Sequence, residues 1–184
     1  SQEAIALYEA MRVGAAANVV AGTIHGASPY GVYDRVVNDI GVPKTSFKAT
    51  DIIVVANPVK AAAGLKKQRR VLQITEVRKK WEQDPVKEGG FADLMKYDPA
   101  TDKLEVTDTL MNGESEVLKD IAANIKEFAG NWDAVWDNIQ LRSNIKKAIV
   151  DAADKSKNPN ILEAEFVIKC NDAFHNTLDK VSSE

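Results

Sequence analysis

Residues 18 to 41 constrain this chain more than any other stretch, because they set a β-prone run directly before a histidine and a capped helix. Val19, Val20 and Ile24 predict a buried strand. Thr23 and His25 are two apart, so on a strand they share one face. Gly26 lets the backbone turn sharply or lie close to another group. Ser28 is a good N-cap, and Pro29 suits a first helical position, where no N–H is needed. Val32, Tyr33, Val36, Val37 and Ile40 then repeat at helical spacing until Gly41 and Pro43. A polar pair at the carboxyl end of a core strand, just ahead of a helix, is where open α/β sheets place ligands.

The flanking chain sorts into elements by the same signals. Ala4, Leu7, Tyr8 and Met11 predict a first helix closing near Gly14, and Pro43 to Thr50 a short helical turn around Phe47. Asp51 to Ala56 predicts a second strand stopped by Asn57-Pro58, and Arg70 to Val77 a third. The intervening linker, with Gly64, is too short for a crossover helix, so these two strands are expected to pair antiparallel. Trp81 to Gly90 reads as a polar loop. Phe91 to Tyr97 and Lys103 to Val106 flank the turn signal Asp98-Pro99-Ala100-Thr101-Asp102 and predict a hairpin.

Composition changes at Asn112. Val117, Leu118, Ile121, Ile125 and Phe128 mark one helix, and Gly130 ends it. Asn131 caps the next, which carries Trp132, Val135, Trp136, Ile139, Ile145, Ile149 and Ala152 and breaks at Ser156 to Pro159. Asn160 with Glu163 resembles a capping box for a last helix carrying Leu162, Phe166, Cys170, Phe174, Leu178 and Val181. A β-rich part, 1–111, is thus expected ahead of a helical module, 112–184.

The net charge of -3 gives the chain as a whole no nucleic-acid signature. The one cysteine, Cys170, forms no internal disulfide, and with two histidines it makes no zinc pattern; no metal site is expected. A reducing, cytoplasmic compartment fits. No apolar run approaches the roughly 20 residues that span a bilayer, and no signal peptide is expected, since Ser1-Gln2-Glu3 opens directly into helical periodicity.

Several spaced blocks carry a family resemblance. Ala6-Leu7-Tyr8-Glu9-Ala10-Met11-Arg12-Val13-Gly14-Ala15-Ala16-Ala17-Asn18-Val19-Val20, followed by Gly22-Thr23-Ile24-His25-Gly26, resembles the histidine box of the secretion ATPase superfamily, the motors of type II secretion, type IV pili and archaella. Tyr33 to Asp39 and Pro43 to Asp51 resemble its archaeal branch. The likeness is dense to about Trp81 and looser beyond. Asn18 stands where the bacterial branches carry a further histidine.

The resemblance implies an α/β fold: the C-terminal portion of a RecA-like P-loop ATPase core with an antiparallel edge, followed by an α-helical C-terminal module. It implies a hexameric motor that couples ATP hydrolysis, with Mg²⁺, to protein secretion or to pilus or archaellum assembly. Its place is cytoplasmic, peripheral to the cytoplasmic membrane, with a membrane platform protein as partner and no nucleic acid. Such enzymes hold nucleotide in a Gly-rich P-loop, and no Gly-x-x-x-x-Gly-Lys occurs here. The P-loop, the aspartate box and the Walker B carboxylate are expected upstream, in a missing N-terminal half, with Ser1 a few residues after the Walker B glutamate. This chain alone is therefore expected neither to hydrolyse ATP nor to hold it tightly.

Candidate site residues follow. His25 is assigned a catalytic and nucleotide-sensing role by the resemblance; spacing alone favours a structural histidine at a strand end. Thr23, on the same face, could orient water or phosphate, or simply pack as a β-branched strand residue. Arg12 could reach phosphate across a subunit boundary or pair with the end of its own helix. Arg35 is expected to form a salt bridge with Asp34, Asp39 or a neighbouring subunit. Lys66, Lys67, Arg69, Arg70, Arg78, Lys79 and Lys80 form a basic block. Anionic lipid, an acidic loop of a partner and a solvated protective edge all suit that block. Trp132 and Trp136, one turn apart, are expected as core anchors, Cys170 as a small buried hydrophobe and His175 at the surface. The alternative to a motor is a non-enzymatic scaffold or regulatory half-protein that binds a partner through its helical tail and basic block.

Overall fold

The β-prone runs at either end of Asp51 to Val77 build the centre of the fold. β1 (Ile52–Lys60) pairs antiparallel with β2 (Lys67–Val77), as the short linker predicts, from Ile52↔Glu76 to Lys60↔Lys67. β3 (Phe91–Asp98) and β4 (Lys103–Val106) complete a four-stranded antiparallel sheet in the order β1-β2-β3-β4. The predicted hairpin is present, with Asp98 paired to Lys103 and Asp98 accepting hydrogen bonds from Ala100 N–H and Thr101 O–H in the turn. The structure is a computed structural model that describes residues 2–13, 19–60 and 67–182.

Two compact units divide the chain, Ser1–Ala129 and Gly130–Glu184. The first is mixed α/β. Besides the sheet it holds α1 (Gln2–Val13), α2 (Pro29–Asp34) with a π-helical continuation through Arg35–Asp39, α3 (Lys44–Phe47), α4 (Asp108–Met111) and α5 (Glu116–Ala123). Gly14, where the first helix was expected to close, and Gly64 of the linker lie outside the described residues.

One face of the sheet is sealed by aromatics. Tyr33 of α2 meets Phe47 of α3 edge-on at 5.3 Å and Trp81 at 5.6 Å, and Phe47 meets Trp81 at 6.4 Å. Val32, Val36, Val42, Ile53, Val55 and Val77 close the same cluster. Trp81 opens the stretch that reads as a polar loop, yet it is 1% exposed and its indole N–H donates to the Arg78 carbonyl at 2.7 Å. The loop folds back because Glu88 accepts the backbone N–H groups of Glu82, Gln83 and Asp84 at 2.6, 2.8 and 2.7 Å. Those donors hold the Glu88 carboxyl below its usual range. A side chain at Gly90 would come within 2.8 Å of Pro85 Cβ, so only glycine lets the loop return past the indole.

A buried carboxylate fixes the residues after Asn112. Glu76 of β2 is fully buried and accepts the Ser115 hydroxyl and the N–H groups of Glu116 and Val117 at 2.9 and 3.1 Å, while Arg78 Nε lies 3.5 Å away. The carboxylate therefore caps α5 from the sheet, and the composition change at Asn112 falls inside the first unit. α5 ends at Ala123, short of Phe128.

The second unit is helical. α6 (Trp132–Ser156) starts at Asn131, whose side chain accepts from Ala134 N–H at 3.1 Å, and ends at Lys157 in the left-handed region with φ 53°. α7 (Ala164–Ser182) carries Val167, Cys170, Phe174 and Leu178, half-buried at helical spacing. Cys170 is thus partly covered, not fully buried as expected. The capping box expected from Asn160 and Glu163 does not form: Asn158 caps a 3₁₀ turn, Pro159–Leu162, and α7 starts after an extended Glu163. Trp132 and Trp136 stack at 6.4 Å and are half-buried. Arg142 lies over the Phe174 ring at 5.1 Å, and His175 is exposed as expected.

Two strand expectations are corrected. Asn57-Pro58 does not stop β1, because Pro58 lies on an edge strand opposite Arg69, where a missing N–H is tolerated. Val19 to Ile24 forms no strand: Val19, Val20 and Ile24 are 97%, 45% and 40% exposed, and no described strand pairs with them. A strand needs a ladder for its N–H and C=O groups, and the sheet of this unit ends at β1. No helix among the described residues is long and apolar enough to cross a membrane.

The carboxylate cap predicts strong coupling. Glu76→Ala is expected to destabilise the chain by about 3 kcal/mol, since it strands buried donors, and Ser115→Ala by about 1 kcal/mol. In urea unfolding the double variant should lose clearly less than the sum of the two single losses. Additive losses would show that the two side chains do not act as one cap.

Candidate functional site

The candidate site begins where α2 is anchored. Ser28 accepts Gly31 N–H at 3.0 Å, Pro29 is buried in the first turn, and Val32, Tyr33 and Val36 face the core. The helix tightens its hold through a π-turn, with Ile40 N–H donating to the Arg35 carbonyl at 3.0 Å, and Gly41 leaves it with φ 87°. Immediately upstream, Gly26 lies against the helix. A Cβ there would stand 2.8 Å from Val32 Cγ2 and 3.2 Å from Val32 N. The backbone at Gly26 is therefore pinned to a buried side chain, while the residues before it project from that point.

His25 and Thr23 occupy the projecting segment. Both are exposed, and neither makes a hydrogen bond, ion pair or ring contact among the described residues. The expected strand face that would have aligned them is not formed, for want of a ladder. Asn18 lies outside the described residues.

Arg12 is held elsewhere. At the end of α1 its guanidinium donates to Thr45 Oγ1 at 3.4 Å and lies 4.0 Å from Glu9. Glu9 also accepts the hydroxyl of Ser46, which is fully buried. These contacts tie α1 to α3, so Arg12 serves that junction rather than the end of its own helix. No described contact joins Arg12 to Thr23 or His25. Arg35 is exposed and forms none of the salt bridges expected of it within the described residues, where Asp34 instead accepts from Asn38 at 2.6 Å.

The basic block divides by partner. Arg70 donates to both carboxylate oxygens of Asp102 at 2.8 Å, and Tyr97 O–H adds a third bond at 2.7 Å. The Arg70 bond, then the Tyr97 bond, hold the Asp102 carboxyl well below its usual range. Arg78 lies beside Glu76, and Lys79 pairs with Asp51 at 3.0 Å. Lys67, Arg69 and Lys80 are exposed with no acidic partner among the described residues; Lys66 lies outside them. A different carboxylate, Asp93, escaped the sequence reading. Burial raises its pKa, but bonds from Thr75, Gln73 and Lys96 outweigh that and leave it lowered. Period-two spacing puts Glu76 on the face of Ile74 and Asp93 on that of Phe91, and that was the available signal.

No Gly-x-x-x-x-Gly-Lys occurs in the sequence, and no group of His, Cys, Asp or Glu among the described residues is placed to hold a metal ion. A cleft of about 400 Å³ in the second unit is lined by Asn160, Glu163, Glu165, Phe166 and Lys169; no candidate residue lines it, and Glu165 and Lys169 neutralise each other at 2.9 Å. No protein-family model matches the chain, and no curated protein matches it.

The pinned glycine gives a matched pair of variants. Gly26→Ala is expected to cost about 1–3 kcal/mol in urea unfolding, because the added methyl must displace a well-packed Val32. Gly22→Ala, where nothing lies within 4 Å of an added Cβ, is expected to leave stability unchanged. Equal effects would contradict the close approach at Gly26.

Proposed function

We propose that this chain is the histidine-bearing part of a motor ATPase of the secretion superfamily. In this reading it is the distal portion of a RecA-like core whose nucleotide is held by a P-loop-bearing half, in a hexamer on a membrane platform. The observation that supports it most is the exposed segment from Val19 to His25, strand-forming in sequence yet without a described strand partner, leading directly into the pinned turn at Gly26. An apolar run of this kind gains by entering a sheet supplied by other polypeptide. Once paired, Thr23 and His25 would share the face at the strand's carboxyl end, the position open α/β sheets use for ligands.

The role assigned to His25 is narrow. Its imidazole would present one hydrogen-bond group toward a nucleotide gripped by the other half, and α2, fastened to the core by Tyr33, would pass that contact to the rest of the unit. Thr23 would orient the same region. Arg12 keeps α1 on α3 and is a weaker candidate for phosphate, since its guanidinium is already engaged by Thr45 and Glu9.

ATP turnover by the complete protein, P-loop half included, tests the proposal. His25→Ala is expected to lower kcat by about 100-fold, the usual effect of deleting one positioned donor, with nucleotide affinity little changed. The chain alone is expected to show no tight ATP binding in equilibrium dialysis. Unchanged kcat in the His25→Ala protein, or tight binding by this chain alone, would overturn it.

A further inference from the structure

The far end of the β1–β2 hairpin concentrates positive charge in a way that the sheet itself does not need. Lys60 and Lys67 are directly opposite each other, and Arg69 lies two residues on from Lys67, opposite Pro58. Opposed residues share a face, as do residues two apart on one strand. Lys60, Lys67 and Arg69 therefore project from one face, and all three are exposed. Like charges set directly opposite destabilise a strand pair.

The same hairpin shows that neutralisation is possible here. Arg70, the next residue, faces the other way and is fully engaged by Asp102. Nothing comparable serves Lys60, Lys67 or Arg69: no described acid pairs with them, and the joining sequence, Ala-Ala-Ala-Gly-Leu-Lys at residues 61–66, contains none. The position is also prominent. Val55 is the last buried residue of β1, so Lys60 stands roughly 16 Å further along the strand at about 3.3 Å per residue.

We propose that Lys60, Lys67 and Arg69, on one face of the paired strands, are a docking site for an anionic lipid bilayer and its headgroup contacts. A flat anionic surface meets all three cations together, and their long aliphatic stems suit the boundary between headgroups and acyl chains. Residues 57–70 contain no aromatic side chain on which a base could stack, which disfavours nucleic acid. The inference does not depend on the nucleotide reading, because a chain that never meets ATP would still dock.

Co-sedimentation of the full chain with vesicles tests it. At low salt the protein is expected to pellet with phosphatidylglycerol-containing vesicles and not with vesicles of phosphatidylcholine alone. About 1 M salt, with a Debye length of about 3 Å, should release it. The triple variant Lys60→Gln, Lys67→Gln, Arg69→Gln should bind about 100-fold more weakly and Lys67→Gln alone about five-fold more weakly. Lys80→Gln, an exposed cation beyond the other end of β2, should bind like the parent. Far-UV circular dichroism checks that each variant is folded, and the single variant stands if the triple is not. The proposal fails if the parent stays in the supernatant. It fails equally if the folded variants bind as the parent does, if Lys80→Gln loses as much, or if the chain binds an oligonucleotide or polyglutamate but not the anionic vesicles.

Discussion

Everything in the first unit hangs on the contact of Tyr33 and Phe47 with Trp81. These three side chains come from α2, α3 and the β2–β3 loop, and each is at least 95% buried. Burial of aromatics this size contributes about 3 kcal/mol each or more. The contact fastens two short helices, neither stable alone, onto the sheet face lined by Ile53, Val55 and Val77. Lys48 adds to the joint, lying 4.6 Å over the Trp81 ring and donating to the Trp81 carbonyl. Burial also raises the pKa of the Tyr33 hydroxyl, with Asp84 a smaller cause.

Rigidity at that joint gives the candidate site its meaning. The chain is firmly held from Gly26 onward and projects before it, so His25 stands at the border between an ordered base and an exposed arm. On the opposite face the buried carboxylate of Glu76 performs a comparable service for α5. The paired strand positions Lys60 and Lys67, with Arg69, differ from both, since no described contact neutralises their charge. The molecule thus keeps two features unspent on its own fold: an apolar arm bearing a histidine, and a cationic face of the paired strands.

Local chemistry was legible at several turns and caps, though not at Asn160 and Glu163, where Asn158 caps a 3₁₀ turn instead. Ser28, Pro29 and Gly41 bound a helix as their backbone preferences require, the short linker forced β1 and β2 antiparallel, and Asp98 to Asp102 turned the hairpin. Reading failed where the outcome depends on distant partners. Val19 to Ile24 has strand-forming side chains, but a ladder partner is a tertiary fact that periodicity does not carry. Pro58 was misread because edge and central positions look alike along a sequence, and Trp81 because its polar neighbours masked its burial. Glu76 was missed since its cap lies at Ser115, far along the chain. Of the site, Gly26 and Ser28 were legible as fixed points; Arg12 was not, as its partner Thr45 belongs to another helix.

The mixed α/β core, the pinned turn and the exposed arm stand on geometry. The motor reading joins them to a resemblance and draws its force from the arm being available to other polypeptide. Amide hydrogen exchange on the chain alone measures that availability residue by residue. The account predicts rapid exchange from Val19 through His25 and marked slowing from Val32, whose N–H donates to the Ser28 carbonyl at 3.0 Å. Protection over Val20 to Ile24 equal to that of the β1 amides bonded to β2 would show that the arm already has a sheet within this chain, and would contradict the account.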